Sequence, residues 1–502
     1  MCAPTTTTDT KHVVVVGAGP AGLLACILLL RRNSPDQVKY RVTLVDPGTD
    51  YGTLDADGLN RARSWMIGLS CHGLTAIRQV PDLYEQYIEA LGVHIQQAVF
   101  GISPKLQFHL DVKDILPEGG DISAFTVDRN YICAALSRYL NDKFPSGKVA
   151  SNFTSQYHTR ALYVDGDNQS IVVRHEKDTT SLDYDILLGC DGIRSVVRNA
   201  FLNHHRDFEF DLTGTFGIGK SVHVTLPESV KEGAFMFLNQ VMPHVSAFVL
   251  PETGGKLNVA MGTASNQSVA PELLSEDPQV VAAYFKENFH AFSLTDYEDV
   301  AQQWIGQGWN TISQVHCNFY HSTKLQALLL GDAAHATSPQ IGQGMNTALA
   351  DAAALNQMLD DHKDDWTAVL PQFSKDRVKE GHALTDLSFY TFSLSPQQQL
   401  MFMMRQTIRR TLHKWLPALV YPDPMNEVAK GMLLSEAYSQ MDQWFGIIPA
   451  ARKVNDHIMR THFHKEIGLI ADDNKSSFGW MKKAVLWGAL PVAAACFLAG
   501  RK

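Results

Sequence analysis

"VVVVGAGPAGLLACILLL", Val13 to Leu30, decides the fold. Four consecutive valines run into a glycine turn, and an apolar stretch of helical length follows. The next apolar run, "YRVTLVD" from Tyr40 to Asp46, supplies a second strand. Strand, turn, helix and strand make a βαβ unit, and parallel strands buried on both faces are apolar throughout rather than alternating. Gly17, Gly19 and Gly22 fall in GxGxxG spacing across the turn. The first permits the tight bend, the second lets a pyrophosphate approach the backbone, and the third lets helix and strand close-pack. The helix N-terminus then offers amide donors to the anion. Asp46 ends the second strand, where an acid binds ribose hydroxyls. That suits FAD or NAD, whereas NADP more often takes an arginine there.

The whole 502-residue chain is 45% hydrophobic, enough core for several domain-sized units. A net charge of −9 excludes the basic field that draws nucleic acid. The seven cysteines form no CxxC pair and several lie in apolar runs, so they read as buried thiols rather than disulfides or zinc ligands. Residues 1–11 lack the apolar core of a secretory signal and the arginines of a transit peptide, and read as a disordered lead.

Pattern divides the rest. Residues 12–80, 120–205 and 316–375 carry the apolar strands and helices of a Rossmann-like FAD-binding domain. Interleaved segments, 81–119 and 206–315, carry short alternating runs such as "KLNVAMG" and read as an antiparallel-sheet substrate domain. The fold class is therefore α/β (α+β). Residues 376–470 form a C-terminal helical region and 471–477 a polar linker. Within that region "QLMFMMRQTIRRTLHKWL", 399–416, reads as a packed amphipathic helix, with a membrane-surface helix as the alternative. Residues 478–502 read as a tail membrane anchor, with a docked terminal helix as the alternative. Ala484–Gly500 is uncharged between two basic pairs, and about seventeen residues span roughly 26 Å as a helix.

Two further motifs complete the nucleotide domain. "LLGCDGIRSVVR" sets Asp191, Gly192, Ser195 and Arg198 after an apolar strand, and "GDAAHATSPQIGQGMN", Gly331 to Asn346, follows another. Asp332 stands at a strand end to hold ribose. Gly342 and Gly344 let backbone amides come close to a ligand, and Asn346 at the helix start presents donors to an electron-rich ring edge.

These three motifs, in this order, resemble the FAD-dependent aromatic hydroxylases of the p-hydroxybenzoate hydroxylase type. Within that group, "RARSWMIGLSCHG", "FTVDRN" and "FSKDRVKEGHALTDLSFY" are similar to segments of kynurenine 3-monooxygenases, as is the apolar tail. The resemblance implies bound FAD contacted by Arg129, reduction by NADPH or NADH, and O2 activated as a flavin C4a-hydroperoxide. Transfer of one oxygen then hydroxylates or epoxidises an aromatic or other electron-rich substrate. It implies Asp191 and Gly192 at the cofactor, with the nicotinamide sought near Ser195 and Arg198. Met345 joins Gly342, Gly344 and Asn346 at the flavin ring, and Pro339 stiffens the loop beside the oxygen site. No protein acid or base is expected to be catalytic. His335 and His72 are expected to be structural. A mitochondrial outer membrane location is implied, with endoplasmic reticulum and plastid envelope as alternatives.

The substrate positions depart from the family. Its carboxylate-binding arginines, in a segment of the form GIPMRARMIH, fall on Lys105 and Gln107 of "GISPKLQFHL". A lysine lacks the bidentate fork, and a glutamine lacks the charge. The family's asparagine in "LSMYN" falls on Thr391, one of its tyrosines near Pro117 or Glu118, and another near Asp423 or Pro424. The expectation is a substrate other than kynurenine. The rival readings are kynurenine 3-monooxygenase itself, a FAD-dependent reductase or isomerase of an isoprenoid, and a non-catalytic FAD scaffold.

Overall fold

The computed structural model describes residues 10–445 except 63, 104–105, 112–124, 146–151, 264–268, 393–403, 405–407 and 410. Lys105, Pro117, Glu118, the linker and the apolar tail lie outside the described residues. Among those described, no helix is long and apolar enough to cross a membrane.

The Val13–Val16 run is fully buried in the strand Lys11–Val16, which pairs in parallel with Tyr40–Val45 on one side and Ile186–Gly189 on the other. Phe153–Gln156 and Ala327–Leu329 extend this to a sheet whose outermost strand, His321–Ser322, alone runs antiparallel. The helix Pro20–Arg31 is buried from Pro20 to Leu30. A helix apolar all round must be covered all round, and it packs on the sheet, on Arg129–Lys143 and on Gly344–Asp361. Before the chain returns to the sheet at Ile186, it makes a three-stranded antiparallel excursion, Thr159–Asp165, Ser170–His175 and Asp178–Asp183.

Residues 97–111 and 210–317 supply a second, seven-stranded sheet, mostly antiparallel, with its own core against the helices Pro278–Asn288 and Tyr297–Ile305. A small sheet of Met66–Leu69, Phe125–Asp128 and Gly92–His94 joins the two regions. A side-chain bond locks that junction, from Thr126 Oγ1 to the Pro251 carbonyl at 3.1 Å. The helix Trp366–Phe392 crosses residue 375 and tolerates Pro371 within it, because one missing amide costs a single backbone bond in a helix anchored by Val369, Leu370 and Phe373 in the core.

Candidate functional site

Gly17, Asp46, Asp191 and Asp332 each stand within three residues of the C-terminal end of a neighbouring parallel strand, so one crevice collects all of them. This is where open α/β sheets bind ligands. Gly17 has φ +106°, and a Cβ there would lie 2.2 Å from the Cys190 carbonyl oxygen. At Gly22 a Cβ would meet the Gly17 carbonyl at 2.0 Å, so these two glycines close strand against helix. Gly19 differs. It caps the helix Pro20–Arg31 without any side-chain bond, and the nearest atom to a Cβ there is Arg129 Nη2 at 3.9 Å. The Asp46 carboxylate accepts from the amides of Ala18 (2.7 Å) and Gly48 (2.6 Å), pinning the glycine turn to the next strand.

Arg129 opens its own helix, capped by Asp128, whose carboxylate accepts from the Asn130 and Ser64 amides. Its side chain is exposed to the crevice while ringed by protein. That enclosure works against its charge, but Cys133, Asp332, Tyr51 and Asp128 outweigh it and raise its pKa. Among the described residues its side chain makes one weak bond, 3.3 Å to Asn130 Oδ1, which leaves donors for a ligand. An uncapped helix start, an open glycine and an exposed arginine fit the pyrophosphate of FAD, and the exposed Asp332 fits a hydroxyl donor beside it.

The "CDGIRSVVR" motif is different from its expected role. Asp191 accepts from Ser195 Oγ (2.5 Å), Val196 N (2.6 Å) and Val197 N (3.3 Å). Burial pushes its carboxyl up, and these bonds oppose that shift. Arg198 is buried, donates to the carbonyls of Ala333 (2.9 Å) and Ile193 (2.6 Å), and stacks over Phe210. Ser195 and Arg198 therefore offer no exposed group to a nicotinamide cofactor; they bolt the DG turn to the GD loop. Gly192, at φ +73°, has open space where a Cβ would stand.

In the GD loop, Gly331 adopts φ +59° and its amide donates to Asp351 Oδ2 at 2.9 Å. Asp351 is fully buried and also meets His335 Nε2 and Arg377 Nε, each at 2.7 Å. Burial works against its charge, but His335, Arg377 and the hydrogen bonds hold its carboxyl at about 2. His335 is thus a buried partner of Asp351, and His72 bonds the Met432 carbonyl at 2.9 Å. Pro339 begins an exposed 3-10 turn that ends on Gly342 at φ +64°, with open space around it. The helix begins at Gly344, two residues before Asn346, again without a side-chain cap. Asn346 corrects the expectation made for it. Its side chain is fully buried, accepts from Ser70 N (2.8 Å), and donates to the carbonyls of Gly68 and Gly342 (2.9 Å each). The Asn346 side chain therefore braces the loop in front of a helix start that no side chain caps.

Sequence reading missed Asp351, Arg377, Ser70 and Asp128. Only the Asp128 cap, one residue before Arg129, had a local signal. Of the substrate candidates, Gln107 lies half-buried in the strand Leu106–Asp111, opposite Gly101, and Thr391 lies near the end of Trp366–Phe392. A separate cavity of about 530 Å³ opens between Arg61, His223, Lys256, Asp299 and Gln303 and is lined by no residue of the glycine turn, the DG motif or the GD loop.

A family model described as FAD binding domain matches residues 131–388, just over half of the chain. The chain is 26% identical over 448 residues to violacein synthase of Chromobacterium violaceum, covering 86% of this chain and 96% of that protein. It is 26% identical over 431 residues to kynurenine 3-monooxygenase of Legionella pneumophila (80% and 84% covered), and 24% over 427 residues to that of Sus scrofa (82% of each). Among solved structures, its fold is similar to the probable FAD-dependent monooxygenase PqsL of Pseudomonas aeruginosa, with a TM-score of 0.58 at 17% identity over 78% of this chain and 98% of that one. A second likeness is to 2-methyl-3-hydroxypyridine-5-carboxylic acid oxygenase, with a TM-score of 0.56 at 16% identity over 76% of this chain and 90% of that one. With the glycine crevice, the GD loop and these relatives in agreement, the chain belongs to the FAD-binding domain family and is a FAD-dependent monooxygenase of the aromatic-hydroxylase type.

Proposed function

We propose that the protein uses NADPH or NADH and O2 to hydroxylate or epoxidise an aromatic or other electron-rich small molecule distinct from kynurenine. One contrast carries this reading. The three cofactor motifs are intact, while the positions matching those that fix an amino-acid carboxylate in the family are Lys105, Gln107 and Thr391. A buried carboxylate without a fixed cation is costly, and Gln107 supplies none. Likeness to several kynurenine 3-monooxygenases favours a second reading, kynurenine itself, in which Lys105 would act as a point charge.

FAD, when bound, supplies the electron transfer to O2 and the oxygen transfer that follow reduction by the nicotinamide. The chain's own residues bind and orient. Arg129 and the amides after Gly19 hold the anion, Asp332 a hydroxyl, and the Gly344–Asn346 amides favour negative charge at the ring edge. Asn346 and Asp351 keep the loop in place, so its amides need no reorganisation. The test is NAD(P)H oxidation by the holoprotein against kynurenine, other aromatics and isoprenoids, with product analysis. Strong stimulation by a non-kynurenine aromatic with oxygenated product is expected; stimulation by kynurenine alone transfers the assignment to the second reading. Turnover without O2 would mark a reductase or isomerase instead.

We further propose that residues 478–502 anchor the protein to a membrane, with the mitochondrial outer membrane as the location the resemblance favours. Support is the uncharged Ala484–Gly500 stretch between Lys482/Lys483 and Arg501/Lys502.

A further inference from the structure

Most large apolar side chains of the described residues are buried, but the segment 404–419 exposes a run of them. Met404 is 46% exposed, Leu412 43%, Trp415 80%, Leu416 48% and Leu419 70%, with Ile408 at 36%. At 100° per residue, Ile408, Leu412, Trp415 and Leu416 fall within an arc of about 100° on the helix. The turn that follows adds to the same patch. Arg409 donates to the Tyr421 carbonyl at 3.1 Å and also to that of Pro422, while His413 Nδ1 meets the Val420 carbonyl at 2.6 Å. These bonds fold residues 417–422 back onto the helix end, so Leu419 is presented in a braced loop. Charge adds a second observation. No acid stands between Asp386 and Asp423, while Arg405, Arg409, Arg410 and Lys414 do, in a chain whose net charge is −9. Lys414, beside Trp415, is exposed.

We infer that this segment is an interfacial element that lies on an anionic lipid surface, with Trp415, Leu412, Leu416 and Leu419 entering the headgroup–acyl boundary. An apolar stripe with basic residues and a tryptophan has the composition of an in-plane membrane helix. The local excess of basic residues is complementary to anionic headgroups. The inference rests on the tail-anchor proposal only for bringing the chain to a bilayer. Together the two give a two-point attachment, which would fix the catalytic body's orientation over the lipid and bring lipid-dissolved substrates to it.

The test uses full-length holoprotein in vesicles carrying lipid brominated at a shallow acyl position, comparing wild type with Trp415→Phe. The fluorescence lost between the two isolates Trp415 from the other tryptophans, including Trp480 of the tail. In phosphatidylcholine vesicles with about 30% phosphatidylglycerol, roughly half or more of the Trp415 signal should be quenched, and clearly less in pure phosphatidylcholine. Leu419→Glu should reduce that quenching. Equal quenching of wild type and Trp415→Phe, or equal quenching of Trp415 with and without phosphatidylglycerol, overturns the inference. So does a dimer in solution that Trp415→Asp dissolves while lipid leaves Trp415 unquenched, which assigns the patch to a second copy. Quenching that persists in Trp415→Phe reports the tail tryptophans Trp480 and Trp487, so failure of the surface helix and failure of the tail anchor are read separately. An unchanged FAD content in each variant shows the fold intact.

Discussion

Gly17 and Gly19 stand two residues apart and do opposite things. Gly17→Ala combines a positive φ with a Cβ driven into the Cys190 carbonyl, so the strand–helix contact itself must yield. The expected outcome is loss of soluble folded protein in expression trials. Gly19→Ala meets nothing closer than Arg129 Nη2 and the chain should fold, yet the new methyl occupies the approach to the helix amides. FAD affinity should fall about tenfold or more while the far-UV spectrum is retained, measured by flavin fluorescence titration. If the Gly19→Ala protein binds FAD as wild type does, the pyrophosphate does not lie there. Arg129→Ala should cost a further one to two decades of FAD affinity, roughly the worth of a charge-assisted bond, with partial recovery in Arg129→Lys. Both roles were legible because GxGxxG spacing encodes them locally and the following aspartate marks the partner strand. The crevice arginine was legible only through resemblance, since a lone arginine after "VD" has no pattern of its own.

At the scale of the element, the GD loop is held from behind by residues that no local spacing announces. Asp351 lies two turns into the following helix, and its partners Gly331, His335 and Arg377 are distant in sequence. A buried aspartate inside an alanine-rich helix is distinguishable from a surface one only when the packing is known. Asn346 misled for a related reason: its place in the motif suggested a ligand contact, whereas full burial and three protein bonds make it a clamp. Asp351→Asn should destabilise the protein by about 3 kcal/mol, since it leaves Arg377 without its buried partner. The pH dependence follows from the depressed carboxyl. A folded-state pKa of about 2, below the unfolded value near 3.9, means the contribution is complete above about pH 4 and disappears as pH falls toward 2. The stability gap between wild type and Asp351→Asn should therefore be flat from neutral pH to about pH 4 and close below it, as measured by urea denaturation. A gap that widens on acidification would mean that Asp351 is not held as the anion. Asn346→Asp replaces a donor to two carbonyls with an acceptor, so holoprotein yield should drop more than for Asn346→Ser.

Across the whole molecule, the sequence resolved what periodicity can resolve. Apolar strands at 13–16, 42–45 and 186–188 and the alternating runs after 213 were visible, because burial on two faces or on one leaves different patterns. That a single helix, Trp366–Phe392, carries the chain across residue 375 was not visible, because helical pattern alone does not show where one helix ends and the next begins. The substrate region was the least legible, since specificity there depends on which side chains from the second sheet meet the crevice, and no spacing rule fixes that. The membrane proposal is testable at this scale with one flotation comparison. Full-length protein and protein ending at residue 477 are floated with vesicles of the composition above, at low and at high salt. The full chain should float under both conditions, because burial of an apolar tail is not screened. The shortened chain should keep its FAD, since every crevice residue precedes the deletion, and should float only at low salt, where the basic residues of the 404–419 sequence still attract anionic lipid. Flotation of the shortened chain that resists salt would place the anchor outside 478–502, and no flotation of the full chain would remove the membrane from the proposal altogether.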